Sequence, residues 1–144
     1  MMTARNPPAF VGAILDARPT LFFAKLALVS AYVLGGVVKA GDFPAAIAEQ
    51  AHFGLQPPAL FAGLTIVVEL LGSALVMTPR WAWLGAGMLG VFTGLAAITA
   101  NAFWVMPDGH DRFMATNAFF EHIGLIGGFA VVAILAQREQ RPIA

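Results

Sequence analysis

The sequence predicts an all-α fold: an integral membrane four-helix bundle with a short amphipathic helix between helices 1 and 2. Three observations carry this reading. The first is composition, 59% hydrophobic against 11% charged, where soluble domains carry about 25% charged residues. A globule of 144 residues cannot bury so large an apolar excess, because small domains bury only part of their surface; a bilayer supplies the missing apolar solvent. The second is the run from Pro58 to Met77, almost unbroken in apolar residues, with a single acid, Glu69, near its middle. At about 1.5 Å per residue it covers the ~30 Å hydrocarbon core. The third is that three more runs of similar length follow or precede it, separated by glycine, proline and charged residues.

Residues 1–19 form a polar, proline-bearing lead-in with Arg5, Asp16 and Arg18, part of which could lie on the membrane surface. The domain proper spans 20–136, and residues 137–144 form a C-terminal tail. The first span is predicted from about Thr20 to Val38. It starts late and ends in Gly35-Gly36-Val37-Val38-Lys39, which reads as a retained helix rather than a cleaved leader. Lys25, Leu28, Tyr32, Gly35 and Lys39 share one of its sides. Gly41 breaks it. Asp42 is then a natural N-cap, with Pro44 in the first turn, for a short amphipathic helix that reaches His52 and Phe53 and is ended by Gly54.

Pro57 and Pro58 open the second span. At about 100° per residue, Ala62, Thr65, Gly72, Ser73 and Val76 fall on the Glu69 side, and Leu60, Leu64, Val67, Leu71 and Leu75 fall opposite. One face is small and polar, the other bulky and lipid-like. A carboxylate at midplane depth costs roughly 2.5–3.5 kcal/mol on insertion scales, so Glu69 should face the bundle interior, either protonated or paired with Lys25, with Tyr32 as a hydrogen-bonding alternative. Thr78-Pro79-Arg80 is a tight hairpin. The third span runs from about Trp81 to Trp104, with tryptophans as interface anchors and Gly87, Gly90, Gly94, Ala97 and Asn101 on one predicted packing face. A polar loop from Val105 to Arg112 leads to the fourth span, Met114 to Ala136. There Asn117, Glu121, Gly124, Leu125 and Gly128 share a side, and Gly124 and Gly128 are spaced as a small-residue packing motif.

Four spans place both termini on one side with Arg5, Arg18, Arg80, Arg138 and Arg141, against Lys39 and Arg112 on the other. The bias puts the termini in the cytoplasm. The intramembrane polar residues then gather in the outer half, and Tyr32, Lys39, Glu69, Asn101, Trp104, Glu121 and His122 form the candidate ligand-binding cluster. Within it Lys39, Asn101, Glu121 and His122 are expected to converge on a vestibule. Such a cluster is either interhelical glue or a site for a quinone ring, a lipid headgroup or a partner's helix. The formal net charge of zero gives no sign of nucleic-acid binding. The absence of cysteine removes disulfide and thiolate chemistry. His52, His110 and His122 lie on three separate segments, so no metal site is predicted. No nucleophile–base pair or phosphate loop points to catalysis by the chain alone.

Gly35-Gly36-Val37-Val38-Lys39, Asp42-Phe43, Gly54 to Pro58, Val68-Glu69-Leu70-Leu71-Gly72, Arg80, Asn101 to Trp104 and Phe120 to Gly128 together resemble the DoxX family over residues 20–136. The resemblance implies a small four-helix bacterial membrane protein. It implies a link to redox systems, since the family name comes from a subunit of a thiosulfate:quinone oxidoreductase and other members look like membrane partners of redox enzymes. The motif positions that carry over are Gly36, Lys39, Glu69, Gly72, Trp104, Gly127 and Gly128. Many members have histidine where this chain has Asn101, and Lys-Asn where it has Glu121-His122, so the resemblance assigns no role to those groups. The expected function is a non-catalytic membrane subunit or accessory protein in the bacterial cytoplasmic membrane, in contact with the lipid bilayer and a membrane or redox partner, or with a second copy of itself. The alternatives are a quinone-linked oxidoreductase subunit with its own quinone pocket, and a small transporter.

Overall fold

A computed structural model describes residues 7–139. Arg5, Arg141 and most of the predicted C-terminal tail lie outside the described residues. Helix α1 covers Ala9–Asp16, α2 Arg18–Gly41, α3 Phe43–His52, α4 Pro58–Met77, α5 Ala82–Ala100 and α6 His110–Glu139, with a 3₁₀ turn at Phe103–Val105. Among the described residues there is no strand and most are helical, and four of the helices are long and apolar enough to cross a membrane. The lead-in thus contains a helix, α1, that the sequence pattern does not predict. The first and fourth spans are also longer than expected, because α2 runs on through Lys39 to Gly41 and α6 starts in the polar loop.

Local chemistry explains the boundaries. The α1–α2 corner is Ala17, extended at ψ 127°, followed by Pro19 in the first turn of α2, where its missing N–H costs nothing. The Asp42 side chain accepts a bond from the Ala45 N–H at 3.1 Å, capping α3 as the sequence implied. Gly54, at φ +75°, closes α3 in the left-handed conformation that favours glycine. The Gly54 and Leu55 N–H groups bond back to the Ala51 and Gln50 carbonyls, both at 3.0 Å, which is a Schellman closure. Asn101 ends α5, and the Phe103 N–H bonds to the Asn101 carbonyl at 2.8 Å to start the 3₁₀ turn.

The long helices pack in chain order: α4 lies along both α2 and α5, α5 along α6, and α3 folds against α4, whereas α2 and α6 touch sparsely. The core between them holds Val29, Tyr32, Val76, Ala86, Leu89 and Phe129. On α4 the buried residues are Ala62, Thr65, Glu69, Gly72, Ser73 and Val76, the face read from the helical wheel, while Leu60, Leu64, Val67 and Leu71 stand exposed.

On α5 the buried residues are Ala82, Gly85, Ala86, Leu89, Thr93 and Ala97; of the predicted face Ala97 is among them, and Gly90 and Gly94 lie beside Phe129 and Ile126 of α6. Gly87, expected in the packing groove, has nothing within 4 Å of where a Cβ would stand. The glycine that matters is Gly85, where a Cβ would lie 2.5 Å from the Gly72 carbonyl oxygen and 2.6 Å from the Val76 nitrogen. On α6, Gly124 is exposed with open space beside it, whereas Gly128 faces Leu28 at 3.1 Å. The buried residues of α6 mix small and bulky side chains: Ala115, Phe129, Val132 and Ala136.

Gly85→Ala should therefore push α4 and α5 apart and lower stability by about 1–3 kcal/mol, the usual cost of overpacking. Gly87→Ala should be neutral or slightly stabilising. Thermal unfolding of the two detergent-solubilised variants separates these outcomes.

Candidate functional site

Glu69 is 5% exposed within the bundle, as the sequence required, but its partner is Lys39 and not Lys25. The Lys39 Nζ lies 3.1 Å from Glu69 Oε1 and 3.4 Å from Oε2, so the ammonium addresses both carboxylate oxygens. Depth counted from Cα positions does not reveal this pairing, because side chains lean toward their own helix N-terminus. In the antiparallel pair α2–α4, Lys39 leans inward along α2 and Glu69 leans back toward the start of α4, so the two reach toward each other. Lys25 leans the same way along α2, toward its N-terminus, but from its position that carries it away from Glu69.

Glycine makes room for the pair. A Cβ at Gly35 would stand 3.3 Å from both Glu69 Oε1 and Lys39 Nζ, and one at Gly36 would stand 2.7 Å from the Leu70 side chain. The Gly35-Gly36 step thus lets α2 close on α4 at the level of the charge. Ser73 Oγ donates to the Glu69 carbonyl at 2.5 Å on the same face. Lys39 keeps 16% of its side chain exposed against 7% for Glu69, so the pair is reached from the lysine side.

Further along the same face of α2, the Tyr32 hydroxyl lies 2.5 Å from Thr93 Oγ1. Thr93 Oγ1 itself donates to the Leu89 carbonyl at 2.6 Å. A hydroxyl has one proton, so Tyr32 is the donor and Thr93 the acceptor. The Tyr32 ring meets Phe129 edge-on at 5.5 Å and Phe92 at 6.4 Å. Tyr32 therefore ties α2 to both α5 and α6. Thr93 was missed in the sequence, although it is the polar residue on the face with Ala86, Leu89 and Ala97.

No direct hydrogen bond or ion pair joins Lys39, Asn101, Glu121 and His122, which the sequence pattern expected to converge. Lys39 is engaged by Glu69. Asn101 sits half-buried at the end of α5. Glu121 is exposed, one position round α6 from the face that packs on α5. His122, half-buried on that face, bonds through Nδ1 to the Ala118 carbonyl of its own helix at 2.6 Å. Trp104 lies in an aromatic group with Phe103, Phe119 and Phe120, with ring centroids 5.3 Å from Phe103 and 5.7 Å from Phe119. Two separate features replace the single vestibule: the Lys39–Glu69 pair between α2 and α4, and an aromatic group binding the 3₁₀ turn to α6.

The sequence model of the DoxX family matches residues 20–102. That stretch includes Tyr32, Lys39, Glu69, Thr93 and Asn101, and leaves α6 outside it. No curated protein and no solved structure matches the chain.

Lys39→Met should strand the Glu69 carboxylate and cost about 3–5 kcal/mol, as for a buried ion pair that loses one member. Adding Glu69→Gln should restore most of the loss. Equal destabilisation of the single and double variants in chemical unfolding would contradict the pairing. Tyr32→Phe should cost only about 0.6 kcal/mol, the average for interhelical hydrogen bonds in a membrane, because Thr93 keeps its bond to the Leu89 carbonyl.

Proposed function

This chain belongs to the DoxX family, and on that premise we propose that it is a non-catalytic membrane subunit or accessory protein serving a redox system of a bacterial cytoplasmic membrane, with both termini cytoplasmic. The observation that carries this reading is how the polar groups inside the spans are used. Lys39 and Glu69 bind α2 to α4, and Tyr32 and Thr93 bind α2 to α5. The bulky apolar residues face outward instead, including Leu60, Leu64 and Val67 of α4 and Val91, Leu95 and Ile98 of α5. Internal ties with an apolar exterior suit a protein that offers its outer surface to lipid and to a partner's helices. A through-path for a solute is disfavoured by Val29, Val76, Leu89 and Phe129, which fill the middle of the bundle and are at most 1% exposed.

The partly open lysine supports a second reading, a quinone site. The ammonium of Lys39 could donate to a quinone carbonyl oxygen while Glu69 holds it in place. Quinone binding by the detergent-solubilised protein, compared between the parent and the Lys39→Met/Glu69→Gln double variant, distinguishes the two. Binding lost in the double variant favours the quinone subunit; no binding by the parent, together with a redox protein co-purifying from native membranes, favours the accessory role.

Orientation has its own test, since the chain has no cysteine. Ala48→Cys in α3 should react with an impermeant thiol reagent in intact cells, and Glu139→Cys only after permeabilisation. The reverse pattern would invert the topology.

A further inference from the structure

We propose that Lys25 is the anchor of a phosphate-binding site for an anionic lipid headgroup at the end of the bundle that carries the α4–α5 hairpin. Lys25 is 8% exposed. It stands on the packed face of α2 with Val29, Tyr32 and Gly36. Among the described residues it forms no ion pair and no hydrogen bond. Yet no side-chain nitrogen or oxygen is both sealed from the surroundings and unpartnered, so its ammonium reaches the surface while its stem is covered. A cation held this way by packing, with its tip open and no acid supplied by the described residues, is arranged to receive an anion from outside.

Its depth selects the lipid. Gly36 faces Leu70 across the α2–α4 contact. Counting back along α2 from Gly36 to Lys25, and forward by the same number from Leu70, passes the end of α4 at Met77 and enters the hairpin. The lysine also leans toward the α2 N-terminus, which is at that end. The ammonium therefore lies where the hairpin meets the headgroup layer rather than at midplane.

The surrounding charge points the same way. Arg18, Lys25, Arg80 and Arg138 lie at this end with the acids Asp16 and Glu139; the opposite end carries Lys39 and Arg112 against Asp42, Glu49, Glu69, Asp108, Asp111 and Glu121. The chain is neutral as a whole but strongly divided, with its positive end suited to anionic headgroups. The chemistry required is a phosphate oxygen accepting from Lys25 Nζ, which a lipid headgroup or free phosphate could supply; the depth of the ammonium in a helix-lined interface favours the lipid.

The test uses delipidated full-length protein in detergent, with phosphatidylglycerol, phosphatidylcholine and inorganic phosphate as probes, read by native mass spectrometry and thermal stabilisation. The parent should prefer phosphatidylglycerol over phosphatidylcholine. Lys25→Met should weaken phosphatidylglycerol binding about fivefold, the ratio corresponding to about 1 kcal/mol for one basic group at a membrane surface. Lys25→Arg should retain binding, and Arg112→Gln at the opposite end should leave it unchanged. Parent-like binding in Lys25→Met would overturn the proposal, as would an equal loss in Arg112→Gln, which would mean diffuse attraction. Inorganic phosphate stabilising the parent as well as the lipid does, and displacing it, would overturn the assignment to a lipid.

Discussion

A carboxylate carried on the middle of an apolar helix needs a cation, and the rest of the structure follows from how Glu69 obtains one. The Lys39 ammonium is the partner, at 3.1 Å, and to bring it there α2 must lie close against α4. Two consecutive glycines, Gly35 and Gly36, make that approach feasible. Once α2 is fixed against α4, Tyr32 reaches Thr93 across the bundle and its ring meets Phe129. The charge pair thus fixes α2 on α4, and Tyr32 carries the link on to α5 and α6. Removing one member of such a pair costs far more than replacing both, so the two residues are coupled to each other energetically.

Much of the fold was legible in the sequence, and the legible parts share a physical reason. The second span could be read face by face because Glu69 marks its inner side without ambiguity; Ala62, Thr65, Gly72, Ser73 and Val76 are all buried with it. The cap at Asp42 and the closure at Gly54 could be read because each depends on one residue's chemistry. On the third and fourth spans no charge marks the inner face, and small residues mark it only in part: Gly90, Gly94 and Gly128 lie beside a neighbouring helix, and Ala97 is buried. A glycine shows where close approach is permitted, not where it occurs: Gly87 and Gly124 have open space beside them, while Gly85 lies against the backbone of α4.

The candidate site was half legible for a related reason. Tyr32 and Glu69 are buried and Lys39 partly so, but which of them pair depends on the lean of side chains in antiparallel helices, which sequence spacing does not convey. Glu121 was assigned to the interior from its glycine neighbours and is exposed instead. Its neighbour His122, one position away, lies on the packed side and satisfies itself on the Ala118 carbonyl. A rotation of about 100° per residue is enough to exchange the roles of adjacent residues.

The contact at Gly85 has a mechanical consequence. Backbone lies against backbone there, with no side chain between α4 and α5 to act as a cushion, and a short hairpin joins the two helices at the same end. They form a stiff two-helix plank. No comparable contact joins α2 to α6, which meet mainly where Leu28 faces Gly128 and Tyr32 faces Phe129. Lateral breathing of the protein in the plane of a bilayer is therefore cheapest along the α2–α6 seam, because opening it separates few packed groups while the plank and the Lys39–Glu69 clasp stay intact.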